Sequence, residues 1–284
     1  MTPFDTKATP AWIAALRPAK CKCGTCQRSH SLRQVSDRKA GIRMGNAWYC
    51  SSACFTAAAV ADLSELMKAG WVQGSHTTRM PLGLILMSRG LLTDVQLREV
   101  TSEHKELGGE IGDLLVRRGS VSERQVAAVR ATQWGCPLFA MPKHLNRTHI
   151  RVPLTLIQLY SAVPVHLDGG GKLLLVGFIH GIEYGLLYAI EHITRCKTQP
   201  CFVTPSDFEV QMHRLVEFER KHNDATPNEV NFESVHTAQE IAGILCSYGV
   251  DLEADEVIIA RCKEHLWARL ICDVRKVDLL FKTG

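Results

Sequence analysis

The chain has 284 residues, 46% of them hydrophobic and 22% charged, with a net charge of +4. That composition supplies a sizeable core and excludes global disorder, and the length suggests about two domains. No apolar run approaches the ~20 residues of a membrane span. Residues 82–87 and 173–179 have the length of core segments, and residues 1–12 lack the basic-then-apolar order of a secretory signal, so a cytoplasmic location is expected.

Charge and cysteine are unevenly distributed. The first 60 residues hold nine Lys or Arg and two Asp, a local charge of +7 that leaves −3 for the remainder. Eleven cysteines, an odd number, argue against a disulfide framework. Five fall within residues 21–54. The other six (Cys136, Cys196, Cys201, Cys246, Cys262, Cys272) lie among apolar neighbours and are expected to be inert thiols.

Cys23-Gly24-Thr25-Cys26 forms a CxxC pair. A hairpin is expected over residues 32–49, with Gly41 and Gly45-Asn46 as turns. Cys50 and Cys54, four apart, share a face where an Ala-rich helix starts and runs to about Lys68. Two knuckle thiolates plus two at a helix start make a closed tetrahedral S4 site, the arrangement of structural zinc. The helix N-terminus favours thiolates there. The spacing resembles small treble-clef zinc fingers, with Cys23, Cys26, Cys50 and Cys54 as ligands and Cys21 and His30 as spare candidates. Reduced or redox-active thiols are the alternative. The +7 charge admits a second function class, a zinc-dependent nucleic-acid-binding regulator. Aromatic and basic residues do not interleave there, however, so a solvated basic face explains the charge as well.

Residues 79–133 contain one pattern twice. Gly83 and Gly112, Gly90 and Gly119, and Leu97 and Val126 are each 29 residues apart, which marks a repeated supersecondary unit. In each copy a short helix stops at a glycine suited to a left-handed C′ position. Thr93-x-x-Gln96 and Ser122-x-x-Gln125 then read as capping boxes, with Leu92/Leu97 and Val121/Val126 as hydrophobic staples. Residues 105–110, with Gly108-Gly109, are expected as the connecting loop.

Leu-Gly-x-x-Leu-x-x-x-Gly with a later Gln resembles the N-terminal domain of type II secretion and type IV pilus assembly ATPases. The similarity continues through Gln133-Trp134-Gly135-Cys136-Pro137-Leu138 and Val163-Pro164-Val165 to about Glu219. The resemblance implies a tandem motif able to bind cyclic di-GMP, through Arg79, Leu82, Gly83, Leu86, Gly90, Gly112, Leu115, Gly119 and Gln133. The family's basic residue before Leu-Gly is replaced by Pro81 and Glu110, and its terminal Gln is His104 in the first copy. Arg79 is the candidate substitute for the missing guanidinium.

Further on, residues 163–166 and 172–178 are expected as a hairpin around Asp168-Gly169-Gly170-Gly171. A helix follows over 181–193, then a strand over 201–204 and a helix capped by Ser206 that runs to about Arg220. Gly171-Lys172 is no Walker loop, because Leu173 follows Lys172 and His166 stands where the first Gly should be. No other segment offers that motif. Polar residues 219–234 are expected as a linker. A third capping box, Thr237-x-x-Glu240, opens a helix ending at Gly249, and three strands follow over 257–261, 266–272 and 276–281. Trp267, Arg269 and Asp278 are either a partner surface or alternating strand residues.

The expected fold class is α+β. Its modules are a zinc-finger-like region with helix at 1–70, an ATPase N-terminal-like domain at 79–220 (helical repeats 79–140, α/β part 150–220), a linker at 221–235 and an α-β-β-β lobe at 236–284. The expected function is a non-enzymatic regulatory or adaptor protein. Its cofactor would be structural zinc, its ligand cyclic di-GMP, and its partner a protein of secretion or pilus machinery.

Overall fold

The computed structural model describes residues 20–26, 28, 41–68, 79–141, 150–222, 228–233, 237–273 and 275–283. His30 and positions 32–40 of the expected hairpin lie outside the described residues. The chain divides into two compact units. Unit 1 joins Met1–Trp71 to Asn228–Gly284, and unit 2 is Val72–Pro227.

Unit 1 begins with strands β1 (Ile42–Met44) and β2 (Ala47–Tyr49), antiparallel about Gly45-Asn46. Gly45 has φ +57°, the left-handed geometry that tight hairpins require and that glycine supplies without strain. Helix α1 (Ser52–Lys68) follows. Unit 1 resumes with β6 (Glu229–Phe232), α9 (Ala238–Asp251), β7 (Glu256–Cys262), β8 (His265–Ile271) and β9 (Lys276–Lys282). The three C-terminal strands appear where they were expected, within a residue or so at each end.

The modular expectation at the two ends needs correction. The N-terminal hairpin and the C-terminal strands form one six-stranded sheet in the order β2-β1-β7-β8-β9-β6. Strand β1 pairs parallel with β7, Arg43 opposite Glu256. The expected linker contains β6, which pairs parallel with β9, Val230 opposite Leu279. Unpaired backbone groups at each flank of a three-stranded meander are satisfied in this way.

Alternation along the strands then sets the core. Leu266, Ala268, Leu270, Val277, Leu279 and Phe281 pack with Phe55 and Leu63 of α1 and Ile241 and Leu245 of α9. Full burial of each large side chain contributes about 1.5–3 kcal/mol. Helix α9 does not stop at Gly249 but runs to Asp251. Gly249 is buried, and a Cβ there would lie 3.1 Å from Ile42 Cδ1, so close approach to β1 explains this glycine.

Unit 2 opens with the repeats. Helices α2 (Leu82–Ser88) and α3 (Asp94–Leu107) form the first, α4 (Ile111–Arg117) and α5 (Glu123–Trp134) the second. Both expected capping boxes are present, Thr93 with Gln96 and Ser122 with Gln125. Helix α3 extends through Leu107, so the connection shortens to Gly108–Glu110. Gly90 and Gly119 have φ +68° and +70°. Both short helices close alike: Leu91 N–H donates to Leu86 O and Ser120 N–H to Leu115 O, each 3.0 Å, as a left-handed C′ residue requires. Leu86, Leu92, Val100, Leu114, Leu115, Val121, Val126 and Val129 make one shared core.

The rest of unit 2 is α6 (Leu154–Tyr160), β3 (Ala162–Leu167), β4 (Leu173–Phe178), α7 (Tyr184–Thr194), β5 (Lys197–Phe202) and α8 (Pro205–His222). The sheet order is β3-β4-β5, antiparallel then parallel. Strand β5 starts four residues before its expected position, because a parallel partner, not local polarity, defines it: Lys197 pairs opposite Leu173. Helix α8 is capped by Thr204, whose Oγ1 accepts Asp207 N–H at 3.1 Å, while Pro205 takes the first turn. Ser206, expected as the cap, instead donates through N–H and Oγ to Glu123 Oε2 at 3.1 and 2.7 Å.

Candidate functional site

Two places bring chemistry-bearing residues together, one in each unit. In unit 1, Gly24–Cys26 form a turn, β1–β2 lead into Cys50, and the first turn of α1 carries Cys54. Backbone bonds fix this frame: Cys21 N–H donates to Arg28 O at 2.8 Å and Lys22 N–H to Trp48 O at 3.0 Å. The thiols of Cys21, Cys26, Cys50 and Cys54 all lie within 4.8 Å of one another. Cys26 Sγ is 3.4 Å from Cys50 Sγ, which is 3.9 Å from Cys54 Sγ.

A tetrahedral ion with ~2.3 Å bonds to sulfur sets its ligand atoms about 3.8 Å apart, so this donor set fits zinc. Three of the four expected ligands belong to the quartet. By mutual distance the fourth member is the spare candidate, Cys21, which is 2% exposed. Cys23 adjoins the quartet, its Sγ 3.3 Å from Thr25 Oγ1.

Crowding drives these thiols apart in acidity. The Thr25 hydroxyl, with the Thr25 and Cys26 N–H groups, holds Cys23 down at about 7. The backbone at Arg28 and the Cys50 thiol lower Cys26. Burial, with the Cys26 and Cys21 thiols, raises Cys50. Ser51 Oγ lowers Cys54, yet burial and the neighbouring thiols outweigh it and push the group up to about 12. Like charges cannot accumulate in one small volume, and a divalent cation removes that penalty. The cluster therefore gains most when a metal replaces its protons.

The remaining cysteines behave differently. Burial pushes Cys136 up to about 11 and Cys201 to about 12, which keeps both as unreactive thiols.

In unit 2 the nine residues named from the motif separate by role. Leu86 and Leu115 are fully buried core. Gly90 and Gly119 are stop residues, and a Cβ at either would meet open space. Gly83 and Gly112 are packing positions. A Cβ on Gly83 would collide with Leu97 Cδ1. One on Gly112 would lie 2.8 Å from Val126 Cγ1, 2.9 Å from Arg130 Nη2 and 3.2 Å from Leu82 Cδ2. The 29-residue duplication is thus a duplicated contact, Gly83 on Leu97 and Gly112 on Val126. Leu82 is half-buried against the same core.

Arg79 and Gln133 meet where the start of α2 approaches the end of α5. The Arg79 guanidinium lies 3.5 Å over the Trp134 ring, and Gln133 Nε2 donates to Met80 O at 2.6 Å. Glu110, at one lost basic position, faces Arg130 at 3.3 Å. Arg130 is 4% exposed and also donates to Ile179 O at 2.7 Å. Burial lowers its pKa, while Glu110 and Asp113 oppose that shift. Periodicity could not single out Arg130, because its partners are set by tertiary packing. Trp267, Arg269 and Asp278, weighed as a surface, are buried. Asp278 accepts from Trp267 Nε1 and Arg269 Nε at 2.8 Å and from Arg269 Nη2 at 2.9 Å.

These features define an α+β chain with a thiol cluster that could hold a metal and a tandem helical motif preceding a small α/β sheet. No family model matches the chain. The type IV pilus assembly ATPase PilB of Thermus thermophilus is 29% identical over 129 residues, which is 45% of this chain and 14% of that protein. The resemblance to pilus and secretion ATPases therefore holds over about half the chain, while the chain spans 14% of the relative's length. Among solved structures, MshE with cdg aligns at 17% identity over 48% of this chain and 99% of that one, with a TM-score of 0.36. The N-terminal domain of XpsE aligns at 21% identity over 47% of this chain and 92% of that one, with a TM-score of 0.37. A second crystal form of that domain gives 23%, 45%, 90% and 0.28.

Proposed function

We propose that this protein is a non-enzymatic regulatory adaptor. Unit 2 would serve as a domain of the secretion- and pilus-ATPase N-terminal type, and a structural zinc ion would close the thiol cluster of unit 1. The observation that carries this reading is the duplicated, capped helical motif within a chain homologous to PilB. Among the 284 residues no Gly-x4-Gly-Lys-Ser/Thr loop occurs, which supports a non-catalytic role. The protein works in the cytoplasm, and no helix among the described residues is long and apolar enough to cross a membrane. Its partner is a protein of the secretion or pilus machinery.

Cyclic di-GMP is the ligand. It would engage the edge where Arg79 stacks on Trp134 beside Gln133, because a guanidinium and a flat ring suit a phosphate and a base. Titration calorimetry of the full chain tests this. Saturable heat is expected with cyclic di-GMP, reduced at least about tenfold in affinity by Arg79→Ala, since a charge-assisted hydrogen bond contributes ~1.5–3 kcal/mol. Absence of heat at high micromolar ligand would refute the ligand, and co-purification without any secretion or pilus component would refute the partner.

In the cysteine cluster the chain's own residues do the work. Cys26, Cys50 and Cys54, with a fourth thiolate, would hold the ion, and the ion would supply a cross-link among the knuckle, the hairpin end and α1. One equivalent of zinc per purified chain is expected.

A further inference from the structure

Four thiols, Cys21, Cys26, Cys50 and Cys54, lie within 4.8 Å of one another, and a fifth, Cys23, stands two residues from Cys21 beside them. Three lie on separate elements: Cys26 in its turn, Cys50 just after β2 and Cys54 in α1. The other two, Cys21 and Cys23, flank Lys22 on one short segment. Cys21 accepts the Cys50 N–H at 3.5 Å. Cys23 Sγ lies 3.3 Å from Thr25 Oγ1, beside the Cys54 thiol. Each therefore has a neighbouring ligand thiol and a hydrogen-bond partner, the Cys50 N–H for Cys21 and the Thr25 hydroxyl for Cys23, able to stabilise a thiolate. The two offer the same donor atom, so exchanging one for the other leaves the ion's charge balance and coordination number unchanged.

We propose that the centre holds one soft divalent ion, with Cys26, Cys50 and Cys54 as permanent ligands and Cys21 and Cys23 as interchangeable fourth ligands. One thiol of the five is then always spare at the rim of a filled site. This proposal rests on the metal assignment made above.

Cobalt(II) loading of the full chain tests it, because thiolate-to-metal charge transfer counts sulfur ligands without any activity. The wild type is expected to bind one ion with a four-thiolate spectrum. Cys21→Ser and Cys23→Ser are each expected to keep that spectrum, with zinc affinity by chelator competition within about tenfold of wild type. The double variant is expected to lose a quarter of the charge-transfer intensity, and more affinity than the ~10–100-fold that a lost supporting partner costs. Cys21 is buried, so Cys21→Ala serves as a second variant should the hydroxyl disturb packing. The proposal is overturned if one single variant alone matches the double while the other is silent, which would fix a single ligand set. It is equally overturned if both singles match the double, or if the double is silent. A wild type that binds no cobalt or zinc would overturn the metal assignment itself.

Discussion

Gly90 and Gly119 give the sharpest test of what the duplicated motif is for. Each sits two residues past a short helix, next to its C-cap, with φ near +70°, and at neither would a Cβ touch anything within 4 Å. Replacement by alanine therefore perturbs only the backbone. The left-handed conformation costs a non-glycine residue about 1–2 kcal/mol. The loss of unfolded-chain freedom on replacing glycine returns about 0.4–1 kcal/mol. The expected net destabilisation is about 1 kcal/mol for either variant, the same at both sites. Asparagine, which tolerates this conformation better, should cost less. In a unit of this size that corresponds to roughly 2–4 °C in Tm. Urea denaturation followed by helical circular dichroism measures it directly. Equal stability of Gly90→Ala and wild type, or costs at the two sites differing by more than about 1 kcal/mol, would refute the claim that both glycines are equivalent helix stops.

Three further outcomes follow from the same structure. Asp278→Asn should destabilise unit 1 by about 3–5 kcal/mol, because it neutralises the carboxylate that accepts from the buried Arg269 guanidinium. Replacing both by apolar residues should cost less than the two single changes together, as a double-mutant cycle in urea would show. In the acid range, Thr198 N–H holds the Glu191 carboxyl below its ordinary value, with smaller help from Lys197. Its folded pKa is thus lower than its unfolded one. The stabilisation is complete above the ordinary carboxylate range and disappears as pH falls through the lowered value. Urea midpoints from neutral to acid pH should therefore decline less steeply in Glu191→Gln than in wild type. Removal of metal by a strong chelator should lower the urea midpoint of unit 1 and leave unit 2 unchanged, because the ion would cross-link only elements of unit 1. An unchanged unit 1 transition would count against a structural role for the ion.

Some of this molecule is written in short stretches of chain. A capping box is a contact between residues three apart, so Thr93 with Gln96, Ser122 with Gln125 and Thr237 with Glu240 could be named from spacing, and each is present. A glycine stop is equally local. The three strands β7–β9 were also expected at their observed places. Gly249 shows the limit. Its place near a helix end suggested a stop, but close approach by Ile42, over 200 residues away in sequence, is what needs a glycine.

The sequence by itself determined the capped helices, the C-terminal strands and the cysteine pairs Cys23/Cys26 and Cys50/Cys54, because each depends on side chains a few residues apart. Tertiary structure alone decided which elements share a sheet. The pairings β1 with β7 and β6 with β9 satisfy backbone groups, and backbone groups carry no sequence signature. It also decided that Cys21 stands within ligand distance of Cys26, Cys50 and Cys54, and that Glu110 faces a buried arginine. Both depend on where separate segments come to rest, which spacing along the chain does not encode.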